Sequence, residues 1–310
     1  MSKKEKIILD VDTGHDDAIA ILVAAKAEKI DLRGITVVSG NQTLPKTLKN
    51  TLSICDFAKI DAPVYAGMDR PLVREQVTAP DIHGESGLGG PTFPAPAKTA
   101  EDKQAVDFII EEALNSEGEL ILVPTGPLTN IATAFNLKPK IKEKIKKIVL
   151  MGGAYGLGNI TPSAEFNIYV DPEAAQVVFD SQIPLVMTGL DLTHQAKATQ
   201  KIINRISELD NRIADLSVEL IEFFRQTYKN TFGFDSPPLH DPCAVAKVID
   251  EDVFSTKEMR VDIELNSQLN RGRTVCDFYN RTKKEPNAEV AINLNKEKFW
   301  NIVIKSLSKY

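Results

Sequence analysis

Apolar runs and amphipathic stretches alternate along the chain. Lys6–Val11 (KIILDV) is almost wholly apolar before it meets acid, the pattern of a parallel strand buried on both faces. Asp17–Ala27 reads as a helix with carboxylates at its start, where the helix dipole favours them. Leu32–Ser39 repeats the strand pattern and Thr43–Ile60 the amphipathic helix. The alternation continues with a helix at Glu101–Ser116, a strand at Glu119–Pro124, a helix at Leu128–Asn136, a strand at Lys146–Gly152, a helix at Pro172–Asp180 and a strand at Pro184–Thr188. This predicts an α/β fold with a mainly parallel, Rossmann-like open sheet and helices on both faces. Ligands of such sheets sit beyond the carboxyl ends of the strands.

The final third differs. Asn211–Thr231 reads as a long helix and His240–Ile249 as a short one. Arg260–Leu265, Arg273–Asp277 and Ala288–Asn293 read as strands between polar turns, and Glu297–Leu307 as a closing helix. No low-complexity linker and no internal repeat interrupts the chain. The expectation is one domain over 1–310, with peripheral C-terminal helices and short antiparallel strands.

Composition narrows the classes. Of 310 residues, 43% are hydrophobic and 26% charged, enough to bury a core and inconsistent with wholesale disorder. The net charge of −6 and the lack of a long basic run argue against a nucleic-acid partner. No apolar stretch approaches the ~20 residues of a transmembrane helix, so no membrane partner is expected. Met1–Lys6 is polar, without a signal-peptide core. Cys55, Cys243 and Cys276 are sparse, odd in number and without a C-x-x-C, against a disulfide framework or zinc ribbon. These features point to a reduced, cytoplasmic protein.

The most informative segment is Asp10-Val-Asp12-Thr-Gly14-His-Asp16-Asp17. It gathers four carboxylates within eight residues at a strand end. Asp10 and Asp12 are expected on one strand face, Gly14 at a tight turn, and Asp16 and Asp17 at a helix start. Acids at a helix start are also common caps. Four converging carboxylates repel one another unless a cation lies between them, and oxygen ligands select a hard ion such as Ca²⁺ or Mg²⁺. An EF-hand is excluded, because the fifth and twelfth positions from Asp10 are Gly14 and Ile21. A phosphatase of the aspartyl-phosphate type leaves Asp16-Asp17 unexplained. No P-loop signature is present.

Further polar segments follow apolar strands. They are Ser39-Gly40-Asn41, Pro124-Thr125-Gly126-Pro127, the stretch Gly158–Asn167 with Asn159, Glu165 and Asn167, and Pro238–Pro242 with His240 and Asp241. His83 lies in a glycine-rich segment, Ile82–Gly90, that reads as a mobile loop. Tyr228 and Phe232, four apart on a helix, suit either the core or a base-stacking surface.

With these segments in order, the chain closely resembles the calcium-dependent nucleoside hydrolases, the inosine-uridine-preferring family of N-ribohydrolases. The motifs are DVDTGHDDA, VPTGPLTNIA, MGGAYGLGNITPSAEFN and HDPCAVA, spanning Lys6 to about Ile249. Thr13 replaces the proline of the usual opening, a change in loop stiffness and not in ligands. The resemblance implies Ca²⁺ held by Asp12, Asp17, the Thr125 carbonyl and Asp241. It implies ribose hydroxyls held by Asp16, Asn159, Glu165, Asn167 and Asp241, with Asn41 near the base–ribose junction. The family's leaving-group imidazole falls on His240. His83, Tyr228 and Phe232 are left as base or lid residues.

The expected reaction is hydrolysis of a small-molecule ribonucleoside to ribose and base through an oxocarbenium-like sugar. Asp12 is assigned as general base and His240 as leaving-group acid. The alternatives are a hydrolase of another N-riboside, such as a nicotinamide or modified riboside, and a non-catalytic calcium-dependent nucleoside or ribose binder. The family likeness also implies a homodimer or homotetramer.

Overall fold

The eight-stranded central sheet has the order β3-β2-β1-β4-β5-β6-β10-β7. A computed structural model describes residues 3–310; Met1 and Ser2, part of the polar start noted above, lie outside the described residues. The elements run β1 (Glu5–Val11), α1 (His15–Lys26), β2 (Ile30–Val37), α2 (Leu44–Phe57), β3 (Val64–Ala66), α3 (Pro80–His83), α4 (Ala105–Asn115), β4 (Leu120–Pro124) and α5 (Thr129–Leu137). They continue with β5 (Ile145–Met151), α6 (Phe166–Val170), α7 (Pro172–Phe179), β6 (Leu185–Thr188), α8 (Leu190–Thr193), α9 (Gln200–Ser207), α10 (Arg212–Phe232) and α11 (Pro242–Ile249). The chain closes with β7 (Phe254–Met259), β8 (Val261–Ile263), β9 (Thr274–Cys276), β10 (Ala288–Leu294) and α12 (Lys296–Leu307).

Strands β1 to β6 pair in parallel in the order 3-2-1-4-5-6 of doubly wound nucleotide-binding sheets. Their side chains alternate between two cores. Ile7, Leu9, Val11, Ile121, Val123 and Val149 pack with α1, α2 and the helices α9 to α12. Ile8, Leu120, Leu122, Ile148 and Leu150 pack with α4, α5 and α7. Burial on both faces explains why these strands read as unbroken apolar runs. The order in which strands are added reverses between β1 and β4, and a crevice opens there at the strands' carboxyl ends.

Three expectations need correction. The C-terminal strands are not all peripheral: β10 adds in parallel to β6, and β7 pairs antiparallel with β10 as the sheet edge. Only β8 and β9 form a separate two-stranded ladder. The β7 sequence FSTKEM buries its two ends alone, so it carries no period-two signal. Helix α9 was not anticipated. Finally, β1 ends at Val11, so Asp10 and Asp12 do not act as a pair on one strand face.

Asp10 is a structural acid. Its Oδ1 accepts from the Thr36 hydroxyl (2.5 Å) and Asn130 Nδ2 (2.7 Å). Asn130 Nδ2 also reaches the Val37 carbonyl at 3.3 Å, and its Oδ1 accepts from the Met68 N–H at 2.8 Å. One buried amide therefore ties β1, β2 and the segment after β3 beside the crevice. Asn130→Ala strips Asp10 of a donor and should lower the unfolding free energy by about 1–3 kcal/mol in urea titration. An unchanged midpoint and slope would show that this amide does not hold the strand ends.

Candidate active site

The crevice is a pocket of about 670 Å³, part of it open to solvent. One side is polar, with Asp16, Asn41, Thr125, Asn159, Glu165, Asn167, His240 and Asp241; the other carries Ala79, Ile82, His83, Phe166, Phe224, Tyr228 and Phe232. Every residue expected to hold ribose thus lines one pocket, as do the three proposed base or lid residues. Asp12 and Asp17 are fully buried beneath it.

The turn at Gly14 starts α1, whose first turn presents Asp16 and Asp17. Asp17 caps its own helix by accepting the Gly14 N–H at 2.9 Å, and its other oxygen accepts the Thr125 hydroxyl at 2.8 Å. Among the described residues, oxygens of Asp16, Asp17 and Asp241 lie within 4.8 Å of one another, an arrangement able to hold a metal ion. Asp12 stands outside that trio, yet close enough for its charge to push up Asp241. Its Oδ2 accepts the Asn41 N–H at 2.7 Å, and its buried Oδ1 has no partner. A Cβ on Gly40 would meet Asp12 Oδ2 at 2.2 Å, and one on Gly126 would meet Oδ1 at 2.8 Å. The two glycines let backbone close around this carboxylate. An unpartnered buried carboxylate oxygen beside three clustered acids fits a hard cation.

Charge reinforces that fit. Burial, then the neighbouring carboxylates, holds Asp12 and Asp241 well above the usual carboxylate range. Asp16 is raised to about 7, chiefly by burial and then by Asp17. Asp241 also shares a hydrogen bond with Asp16, as a carboxylic acid does with a carboxylate.

The remaining ribose candidates are held by backbone. Glu165 caps α6 and accepts the N–H groups of Gly153 (2.9 Å), Asn167 (2.9 Å) and Ile168 (3.1 Å). Burial nonetheless raises its carboxyl to about 7. Asn159 Oδ1 accepts the Phe166 N–H at 2.9 Å. Asn167 Nδ2 donates to the Thr125 carbonyl at 2.7 Å and the Met151 carbonyl at 3.1 Å. The carbonyl expected to face a metal is thus oriented by a residue expected to grip the sugar.

His240 is buried and both ring nitrogens are engaged. Nδ1 meets the Thr193 hydroxyl and Nε2 the Tyr228 hydroxyl, each at 2.7 Å. Burial, with His194 nearby, keeps this ring neutral by holding its pKa well below the usual value. Phe232 lies beside Tyr228, ring centroids 5.0 Å apart.

Sequence reasoning gave no role to His15, Thr193 or Phe224. Phe224 continues the Tyr228–Phe232 stripe at a spacing of four, a signal that was readable. Thr193 had none. The segment around His83 was expected to be mobile. In this structure it is fastened, with Asn50 Nδ2 on the Ser86 carbonyl at 3.0 Å and His15 Nε2 on the Gly89 carbonyl at 2.8 Å.

A sheet of this order, with a polar, acid-floored pocket at its switch point, belongs to the α/β enzymes that bind sugar-bearing small molecules. The comparisons make the class specific. The sequence profile of the inosine-uridine preferring nucleoside hydrolases matches residues 7–301, and the chain belongs to that family. It is 48% identical over 308 residues to the pyrimidine-specific ribonucleoside hydrolase RihB of Escherichia coli strain SE11, covering 99% of this chain and 98% of that one. Its structure superposes on a purine-preferring ribonucleoside hydrolase from Gardnerella vaginalis with a TM-score of 0.92 at 34% identity, covering 98% of each chain. A plant nucleoside hydrolase, PpNRh1, gives a TM-score of 0.92 at 29% identity over 99% of each chain. The protein is an enzyme acting on N-glycosyl bonds, hydrolysing ribonucleosides to ribose and free base.

The raised acids set a pH dependence. Asp10 and Asp16 rise from 3.8, and Glu165 from 4.5, each to about 7, mainly through burial. A carboxyl raised by folding contributes stability that is full below its unfolded pKa and lost as pH climbs through the folded one. Chelator-treated protein should therefore melt at lower temperature at pH 8 than at pH 5. A saturating divalent cation should restore much of the loss at pH 8. A melting temperature indifferent to both pH and cation would contradict the reading of the acid cluster.

Proposed function

We propose that the chain hydrolyses pyrimidine ribonucleosides in preference to purine ones, using a resident Ca²⁺ at the floor of the pocket. The observation that carries the metal reading is the trio Asp16, Asp17 and Asp241 beside the unpartnered Asp12 Oδ1. Asp12, Asp17, Asp241 and the Thr125 carbonyl would hold the ion. When bound, it acidifies and orients a water at the sugar. The relative at 48% identity, named pyrimidine-specific, supports the base preference.

The residues then divide the work. Asp12 takes the proton of the attacking water. Asp16 and Asp241 accept from ribose hydroxyls, and Asn159, Glu165 and Asn167 complete the grip from the far wall. Asn41 sits near the base–ribose junction, its backbone N–H on Asp12. The surrounding carboxylates favour the positive charge that develops on the sugar. His240 serves the leaving base through Tyr228, because the Tyr228 hydroxyl occupies its Nε2. Tyr228 and Phe232 offer faces to the base, and His83 stands on the lid side.

We also propose one domain over 1–310, since the central sheet takes strands from both ends of the chain. No helix among the described residues is long and apolar enough to cross a membrane. Buried free Cys55 and Cys243 suit the cytoplasm, and the family likeness favours a homodimer or homotetramer.

Ribose release from uridine, cytidine, inosine and adenosine tests the substrate reading. Uridine and cytidine should exceed inosine by tenfold or more in kcat/KM, on the order of the ~1.4 kcal/mol that one differential contact supplies. Equal values for purines would remove the preference while leaving the family activity in place. Asp12→Asn should lower kcat by about 10²–10⁴-fold with the fold intact by circular dichroism. Turnover near wild type would remove Asp12 as base.

A further inference from the structure

His15 lies between the turn glycine and the first acid of the cluster, yet its side chain faces the other way, into the segment that follows α3. It is buried, and its ring lies parallel to that of Phe223 at 4.8 Å and 4° and to that of Phe224 at 5.5 Å and 5°. Its two nitrogens meet two points of one loop. Nε2 is 2.8 Å from the Gly89 carbonyl, and Nδ1 is 3.3 Å from Nδ1 of His83. The approach needs glycines on both sides. A Cβ on Gly14 would fall 2.4 Å from His83 Nδ1, and one on Gly89 would fall 2.3 Å from the Phe223 ring.

Hydrogen-bond bookkeeping fixes both tautomers. A carbonyl only accepts, so His15 Nε2 carries the hydrogen. His15 is buried and stacked on Phe223 and Phe224, and among the described residues neither nitrogen meets a carboxylate, so the ring carries a single hydrogen and the bare Nδ1 accepts. His83 Nδ1 must then be the donor, and its Nε2 is left bare. His83 lines the pocket, and among the described residues no protein group bonds its Nε2.

We propose that His15 is a positioning residue for the hydrolysis. It clamps the 83–89 segment through Gly89 and sets the tautomer of His83, so that His83 offers a bare Nε2 to an N–H or O–H of the bound nucleoside. His15 itself touches no substrate. The proposal rests on the pocket being the site of reaction, but the tautomer assignment does not.

The chain has only four histidines, so long-range ¹H–¹⁵N spectra of the imidazoles can be assigned with single His→Gln variants. In the wild type, His83 should show the Nδ1–H form and His15 the Nε2–H form. In His15→Phe, which keeps the stack on Phe223 and Phe224, His83 should lose that single form. An Nε2–H His83 in the wild type, or an unchanged His83 in His15→Phe, overturns the proposal. Kinetics give the second arm. His15→Phe should lower kcat/KM for uridine by about tenfold, and the loss should shrink to under about twofold in a His83→Phe background. Losses that simply multiply would show that His15 does not act through His83. If His15→Phe fails to fold, His15→Gln replaces it in both arms, and the wild-type spectrum decides the tautomer alone. A correct tautomer pattern with no kinetic effect would place the failure in the pocket's role and not in the histidine pair, and would still overturn the catalytic proposal.

Discussion

Four carboxylates, Asp12, Asp16, Asp17 and Asp241, are buried within reach of one another's charge, and the rest of the site is arranged around that constraint. Ionised together in a low-dielectric pocket floor they repel strongly, and each unpaired charge is costly to bury. Two responses are visible. Hydrogen bonds from Gly14, Asn41 and Thr125 satisfy particular oxygens. Burial and mutual repulsion also push the carboxyls of Asp16 and Asp241 up, which favours retained protons. Neither response partners Asp12 Oδ1. A divalent cation would answer all of these demands at once.

The doubly wound sheet makes the cluster buildable. Its switch point brings Asp12 after β1, Asn41 after β2 and Thr125 after β4 to one crevice, although these residues are far apart in sequence. α1 then contributes Asp16 and Asp17 from its first turn, and Asp241 stands at the N-cap of α11. Asn167, reaching from α6 to the Thr125 carbonyl, couples the polar wall of the pocket to its acidic floor. The floor is buried, while the aromatic lining comes from the long helix α10, from α3 and from Phe166 of α6. That division suits one invariant sugar and a variable base.

Much of this was readable from the chain because it depends on local pattern. The buried parallel strands announced themselves as apolar runs, and the acids that end the first of them pointed to a cation. What resisted was non-local. Asp10 looked like a member of the cluster until its partners, Thr36 and Asn130, came from β2 and α5. FSTKEM gave no strand signal because only its ends are buried, and its pairing is supplied by β10. His240 read as a free acid, whereas Thr193 and Tyr228 close both its nitrogens from elements 47 and 12 residues away. His15 sat within the best-read motif, and only the loop folding back onto it reveals what its nitrogens meet.

Proton release on cation binding tests the central claim most directly. Calorimetric titration of the metal-free protein with Ca²⁺ at pH 6, in buffers of differing ionisation enthalpy, counts the protons displaced. Asp16, which burial holds at about 7, is mostly protonated there, and Asp12 and Asp241 are pushed up as well, so binding one ion should expel about one proton and the count should fall as pH rises. Binding without proton release, or no binding at all, would show that these acids are not held together by a metal ion.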